Sequence, residues 1–184
     1  MNAEIISVGT ELMLGDIPNT DAQYISSRLV DMGVNVICHS TVNDSPKDIR
    51  QALSYALPRS SVIIFTGGLG PTPDDLTKET VCSAVGVELK MHEESRRLID
   101  DYFYRTGRKL SENNYKQAML PVGGTVFKNE VGTAPGCAIS AGKQWIIMLP
   151  GPPKELIPMF DKEVIPYLRE AVGGEYTAIK NISV

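Results

Sequence analysis

The sequence has little with which to build a disulfide framework or a zinc site. Its three cysteines, Cys38, Cys82 and Cys137, are far apart, and none forms a Cys-x-x-Cys pair or stands near a histidine at zinc-ligand spacing. The two histidines, His39 and His92, have no sequence neighbours that would indicate a catalytic role. We therefore expect buried, unreactive thiols and a reducing compartment.

Positive charge and long apolar runs are also scarce. The formal net charge of -4 argues against a protein that neutralises many phosphates of DNA or RNA. No apolar run approaches the roughly 20 residues of a membrane span, and the N-terminal residues do not resemble a signal peptide. We expect a cytoplasmic protein that binds neither nucleic acid nor membrane. One small phosphorylated ligand stays compatible, because backbone N–H groups and a metal can hold it.

The sequence does contain a regular succession of short apolar strands and amphipathic helices. Residues 5–8, 34–42 and 61–65 predict strands, and apolar residues at helical spacing follow each of them. Three such units in a row indicate a parallel sheet with helices on both faces. Helical spacing continues over 92–120, with a break at 106–107, and a last helix begins after residue 150. The fold class is therefore α/β.

Three further strands are predicted in the second half of the chain, at 125–127, 137–139 and 145–149. The turn 141–143 joins the last two as an antiparallel hairpin, so the mostly parallel sheet should be mixed. Residues 175–184 alternate weakly, like a strand without a partner.

Four glycine- and proline-rich loops are the candidates for a binding site. Three of them directly follow a predicted strand, at 9–19, 66–75 and 149–153, and the fourth is 129–136. Because the carboxyl ends of parallel strands line one crevice, we expect these loops to converge. Lys154 and Glu155, at the start of the last helix, could reach a ligand or be surface charges, and the surface position is the one we expect.

The loop 66–75, Thr-Gly-Gly-Leu-Gly-Pro-Thr-Pro-Asp-Asp, has the composition of an anion site. Its glycines allow close backbone approach, and the helix that follows presents free N–H groups. It is neither a P-loop nor a Gly-x-Gly-x-x-Gly fingerprint. Asp74 and Asp75 beside a phosphate favour a divalent cation between them, and Glu11 offers a further oxygen ligand. The alternative interpretation is structural, with Asp74 or Asp75 capping the helix and Glu11 solvated.

Together, residues 9–12, 15–20, 66–77, 129–136 and 149–153 closely resemble the N-terminal domain of the CinA (competence/damage-inducible) family, within the molybdopterin-binding superfamily of MoaB-like and MogA-like proteins. The resemblance covers roughly residues 3 to 170. It implies a three-layer α/β/α fold of the molybdopterin-binding type. Residues 1–170 are expected to form this domain, and 171–184 a tail or the start of a connecting region.

The resemblance implies metal-dependent hydrolysis of ADP-ribose or a related dinucleotide pyrophosphate, with Mg or Co as the divalent cation and K⁺. Asp75 and Glu11 would be catalytic, and Asp75, Asp74 and Glu11 would hold the metal. The residues implied in phosphate or nucleotide binding are Gly9, Thr10, Asn19, Thr66, Gly67, Gly68, Gly70, Thr72, Gly132, Thr133, Pro135, Gly136 and Gly151.

Two other functions stay open, because superfamily membership does not decide the substrate. One is molybdopterin binding or adenylylation, as in the MogA-like relatives, although the loops 70–75 and 149–153 look more like the CinA branch. The other is a non-catalytic nucleotide-binding module. CinA proteins commonly continue into a deamidase-like C-terminal domain, which we expect to be absent here. A homo-oligomer is compatible with the sequence.

Overall fold

The computed structural model describes residues 1–171, in which strands and helices alternate along most of the chain. The strands are β1 (Asn2–Val8), β2 (Asn35–Val42), β3 (Val62–Thr66), β4 (Leu89–Met91), β5 (Met119–Pro121), β6 (Thr125–Phe127), β7 (Gly136–Ala141) and β8 (Gln144–Leu149). The α-helices are α1 (Thr10–Leu14), α2 (Thr20–Asp31), α3 (Pro46–Ala56), α4 (Thr77–Val85), α5 (Glu93–Thr106), α6 (Pro153–Met159) and α7 (Ile165–Ala171). A 3₁₀ helix spans Glu112–Ala118, and a π-helical segment spans Phe160–Val164.

Six strands form one sheet in the order β2-β1-β3-β8-β7-β6. Neighbours among the first four are parallel, whereas β7 is antiparallel to both β8 and β6. The predicted α/β class and the mostly parallel, mixed sheet are confirmed. Because β1, β3 and β8 lie side by side and run in the same direction, the loops that follow them leave the same edge of the sheet.

Helices cover both faces of this sheet and produce two apolar cores. The first core packs α2, α6 and α7 on one face, and the second packs α3 and α4 on the other. Consecutive residues of a central strand serve opposite cores, as Ile63 and Ile64 do in β3. Each fully buried side chain of this size stabilises the fold by about 1.5–3 kcal/mol. Strands buried on both faces explain why their sequences are apolar without alternation.

Local signals in the sequence set the limits of most helices. The Oδ1 atom of Asn19 accepts a hydrogen bond from the Ala22 N–H at 3.1 Å and so caps α2, and Gly33 ends this helix at φ +73°. Pro46 occupies the first turn of α3, and its N-cap residue, Ser45, makes no side-chain capping hydrogen bond.

The prediction that the helical region continues to residue 120 is wrong. The 3₁₀ helix ends at Ala118, and β5 pairs with β4 in a small antiparallel sheet. A proline at position 121 disfavours helical geometry for the residue before it, which explains the change. The break after Thr106 is confirmed, since Gly107 ends α5 at φ +65°.

The last helical region buries four apolar side chains, Leu156, Met159, Val164 and Leu168. The π-helical segment divides this region between Pro158 and Pro166, two prolines that cannot donate helical backbone hydrogen bonds. The strand-like stretch 175–184 lies outside the described residues. Every helix within residues 1–171 is too short or too polar to cross a lipid bilayer.

The three cysteines are free thiols. Cys82 and Cys137 are buried, and this burial raises the pKa of the two thiols to about 11 and about 12. Cys38 is half-buried. The prediction of buried thiols is therefore confirmed for Cys82 and Cys137.

Candidate functional site

The loops that follow β1, β3 and β8 converge on a cavity of about 630 Å³ at the edge of the sheet. Thr133 and Ala134, from the loop before β7, complete one wall, and Gln117 of the 3₁₀ helix adds to the lining. Residues from all four predicted loops therefore come together. We call this space the strand-end cavity.

Glycine is required at position 67, where the loop after β3 turns across the strand-end cavity. Gly67 has φ +90° and donates a backbone hydrogen bond to the Leu149 carbonyl at 3.0 Å. A Cβ atom on Gly67 would overlap the carbonyl oxygen of Val8. A Cβ atom on Gly151 would lie 3.3 Å from the Gly67 Cα. The backbones of three loops thus meet at one point, with no room for a side chain.

Asp75 fixes the far end of the same loop. Its Oδ2 atom accepts hydrogen bonds from the N–H and the Oγ1 hydroxyl of Thr72, at 2.9 and 2.5 Å. Gly70 leaves room for this carboxylate, because a Cβ atom there would lie 2.5 Å from Oδ2. The N-cap of α4 is Leu76, without a side-chain hydrogen bond. The expectation that Asp74 or Asp75 caps the helix is therefore wrong; Asp75 bonds within its own loop and lines the cavity.

Asn129 holds the loop before β7 in place. Its Oδ1 atom accepts from the N–H groups of Val131 and Gly132, while Nδ2 donates to the Ala134 carbonyl at 2.9 Å and to Glu155 Oε2 at 2.6 Å. Glu155 is half-buried and lines the strand-end cavity, so the expectation that it lies on the surface is wrong. Its place in the first turn of α6, directly after a candidate loop, is the signal that could have found it.

Negative charge dominates the strand-end cavity. Within residues 1–171, five carboxylates and no lysine or arginine line it: Glu11, Asp21, Asp44, Asp75 and Glu155. Burial raises the pKa of Asp21 to about 6, and its Oδ1 atom is buried without a hydrogen-bond partner among these residues. Such a lining attracts cations and N–H donors. A bare phosphate would be repelled unless a cation accompanied it.

The predicted site residues divide into two groups. Those that line the strand-end cavity are Glu11, Asn19, Thr66, Gly67, Gly68, Gly70, Asp75, Thr133 and Gly151. Asn19 and Thr66 also have a structural role, because both donate hydrogen bonds to the Ser7 hydroxyl beneath the loops, at 2.9 and 3.2 Å.

The remaining predicted residues do not line it: Gly9, Thr10, Thr72, Asp74, Gly132, Pro135 and Gly136. Thr10 donates hydrogen bonds to Asp44 through both N and Oγ1, and the Thr72 hydroxyl donates to Asp75. Asp74 is exposed. Gly136 lies inside β7, where a Cβ atom would press on the Met159 sulfur at 2.6 Å. These positions shape the loops and the packing around them.

Gly132 and Pro135 instead line a second cavity, of about 580 Å³, between α5 and the loop before β7. Thr133 lines both cavities. Asn129, which also lines the second cavity, bonds across the wall to Glu155. The wall between the two cavities is therefore held by hydrogen bonds.

No three Asp, Glu, His or Cys side chains within residues 1–171 come close enough to hold a metal ion together. Glu11, Asp74 and Asp75 therefore do not form one shared metal site, since Asp75 turns towards Thr72 and Asp74 towards solvent. A magnesium ion bound through one carboxylate, ligand phosphate oxygens and water would not need such a cluster. The carboxylate-rich lining fits that mode of binding.

Comparison with known proteins identifies related sequences over nearly the whole chain. The family profile described as "Probable molybdopterin binding domain" matches residues 4–170. Competence-damage inducible proteins of Acetivibrio thermocellus and Bacillus cereus are 56% and 52% identical over 173 and 175 residues, or 94% and 95% of this chain. These matches cover 42% of each relative, so the chain spans about two fifths of their length.

Two solved structures have the same fold. CinA from Thermoplasma acidophilum has a TM-score of 0.81 at 33% identity, over 90% of this chain and 96% of that one. The molybdopterin biosynthesis enzyme MoaB from Thermus thermophilus has a TM-score of 0.61 at 21% identity, over 96% and 99%. The second likeness shows the fold alone. The resemblance drawn from the sequence motifs is confirmed.

Proposed function

The chain belongs to the molybdopterin-binding domain family, and from that premise we propose that its strand-end cavity binds a phosphorylated nitrogen heterocycle, with molybdopterin as the first candidate. The observation that carries the proposal is that five carboxylates and the glycine loop line the same cavity. A pterin ring is rich in N–H groups, and carboxylates accept hydrogen bonds from them. Backbone N–H groups of the loop are suited to the phosphate.

A divalent cation would accompany the phosphate. Asp75 is the carboxylate that belongs to the glycine loop itself, and Oδ2 is held by Thr72, so the side chain is fixed before any ligand arrives. We assign Asp75 to the cation, which would neutralise the charge between this carboxylate and the phosphate. Mg²⁺ and Co²⁺ are the candidates, and K⁺ stays a further proposed cofactor.

A binding titration tests this proposal. Two ligands are titrated separately into the chain in the presence of Mg²⁺. One is molybdopterin released from a molybdoenzyme. The other is AMP, because adenylylation of molybdopterin would also require adenine-nucleotide binding. We expect saturable binding that EDTA weakens. Asp75→Asn should lower the affinity, whereas Asp74→Asn, at the exposed neighbour, should change it little. If the chain bound neither ligand, the proposal would be refuted.

The second candidate function is metal-dependent hydrolysis of ADP-ribose or a related dinucleotide pyrophosphate. One observation favours it: Asp75 holds Oδ2 in two hydrogen bonds at the cavity edge, which leaves Oδ1 as an oriented base. A water oxygen would attack one phosphorus atom, and the bond from that phosphorus to the bridging oxygen would break. Asp75 would receive the water proton at Oδ1, and the products would be AMP and ribose 5-phosphate. A bound cation would stabilise the developing negative charge.

Release of AMP from ADP-ribose measures this second function directly. With Mg²⁺ or Co²⁺ and K⁺ present, the wild-type chain should release AMP, and Asp75→Asn should slow release by about 10²- to 10⁴-fold. Asp74→Asn is the matched control, with a rate close to wild type. If the wild type binds AMP but releases none from ADP-ribose, hydrolysis is excluded and ligand binding stands.

A further inference from the structure

Gln117 is a buried polar residue in the wall of the strand-end cavity. It lies near the end of the 3₁₀ helix Glu112–Ala118, is 3% exposed and belongs to the cavity lining. Its Oε1 atom is fully buried and has no hydrogen-bond partner within residues 1–171. Neither the predicted loops nor the proposed phosphate and cation contacts involve this residue.

An unpaired buried amide destabilises the folded state. Leaving a buried acceptor without a donor costs about 1–3 kcal/mol relative to a paired one. A leucine or methionine at position 117 would avoid that cost and fill similar space. A bound molecule that supplies the missing donor would remove the cost, so the side chain is well suited to ligand binding.

The backbone around Gln117 is fixed from two sides. Lys78 is 2% exposed, and its Nζ atom donates to the carbonyls of Lys116 and Gln117, at 3.3 and 3.0 Å. Lys116 in turn donates from Nζ to the carbonyls of Thr72 and Asp75 in the glycine loop, to the first at 3.0 Å. The position of Gln117 is therefore set relative to the loop that would hold the phosphate. Such preorganisation lowers the entropy cost of binding.

We propose that Gln117 is a ligand-binding residue that hydrogen-bonds the ring edge of the heterocycle whose phosphate occupies the glycine loop. This inference rests on the proposed function. In either orientation, a carboxamide presents an acceptor beside N–H donors. Pterins and adenine both carry a ring edge on which a donor neighbours an acceptor, so either can form a paired contact with it.

The chemistry of the amide excludes the phosphate as its full partner. A phosphate dianion offers only acceptors, so it could use the N–H donors of Gln117 but not the carbonyl oxygen. The unpartnered buried atom in this structure is that oxygen. A ring edge that carries a donor beside an acceptor pairs with both groups of the amide, whereas a phosphate pairs with only one. Ribose hydroxyls can also donate, so a comparison with ribose 5-phosphate tests whether the contact requires the ring.

The test compares two ligands and two matched glutamine variants in the presence of Mg²⁺. Gln117→Met removes the amide at similar volume, and Gln144→Met makes the same change in a hairpin strand, where the amide donates to the Leu57 carbonyl at 3.0 Å. For Gln117→Met we expect the affinity for AMP to fall by about tenfold or more, while the affinity for ribose 5-phosphate stays unchanged. We also expect its unfolding midpoint to be no lower than that of the wild type. Gln144→Met should do the reverse, with lower stability and unchanged AMP affinity.

Each other outcome overturns a stated step. An equal loss for AMP and ribose 5-phosphate would place Gln117 on the ribose phosphate that the two ligands share, and unchanged AMP affinity would remove it from the site. A lower unfolding midpoint for Gln117→Met would show a structural role. Side-chain amide resonances of Gln117 in the wild type give a second readout: they should shift on addition of AMP, and no shift would contradict the contact. If the wild type binds neither ligand, the proposed function fails, and this inference fails with it.

Discussion

The glycine loop permits a prediction whose size follows from local geometry, the substitution Gly67→Ala. Gly67 has φ +90°, and an added Cβ atom would overlap the Val8 carbonyl oxygen. A left-handed backbone costs a residue with a Cβ atom about 1–2 kcal/mol. A forced backbone shift adds about 1–3 kcal/mol. We therefore expect a loss of about 2–5 kcal/mol in the free energy of unfolding, by the sum of these terms.

Gly86→Ala is the matched control for this prediction. Gly86 also has a positive φ, +74°, but an added Cβ atom meets nothing within 4 Å. Its cost should be limited to about 1–2 kcal/mol from the backbone alone. Urea unfolding measures both variants, and titration with AMP and Mg²⁺ measures the site, where Gly67→Ala should weaken binding and Gly86→Ala should not. Equal destabilisation by the two substitutions would refute the steric reasoning.

Two buried charges give further predictions, both about the pH dependence of stability. The pKa of Asp21 is about 6 in the folded chain, whereas its ordinary value, taken for the unfolded chain, is 3.8. Between these two pH values the folded state binds more protons than the unfolded state, so stability falls as the pH rises from 3.8 to about 6. Asp21→Asn should therefore raise the free energy of unfolding above about pH 6, and urea unfolding at a series of pH values measures the change. Burial lowers the pKa of Lys78 from 10.5, so its contribution to stability should rise with pH from the lowered value up to 10.5. Lys78→Met should flatten that alkaline slope, and an unchanged slope would show that Lys78 is not its source.

The sequence predicted the central sheet well because its strands are buried on both faces. Their apolar runs are unbroken, and the turn signals between them are strong. The strands β4 and β5 were missed for the opposite reason. Each has three residues and belongs to a separate two-stranded sheet. In such short segments, apolar residues at helical spacing predict a helix as readily as a strand.

The candidate site was predictable where it depends on topology and hidden where it depends on packing. The loops after β1, β3 and β8 had to converge, because parallel neighbours end at one edge. The position of Gln117 in the cavity wall depends on contacts between residues distant in sequence, because Lys78 holds its backbone carbonyl and Lys116 attaches the 3₁₀ helix to Thr72. Asp21 and Glu155 belong to helices whose packing on the sheet turns them towards the cavity. Loop composition carries no information about such contacts.

The most direct test of the proposed site is a map of backbone amide shifts when AMP and Mg²⁺ are added to the chain labelled with ¹⁵N. Binding at the strand-end cavity predicts the largest shifts at Gly67, Gly68 and Gly70, with smaller ones at Thr133 and Gly151. Shifts confined to α5 and the second cavity, or no shifts at all, would contradict the account.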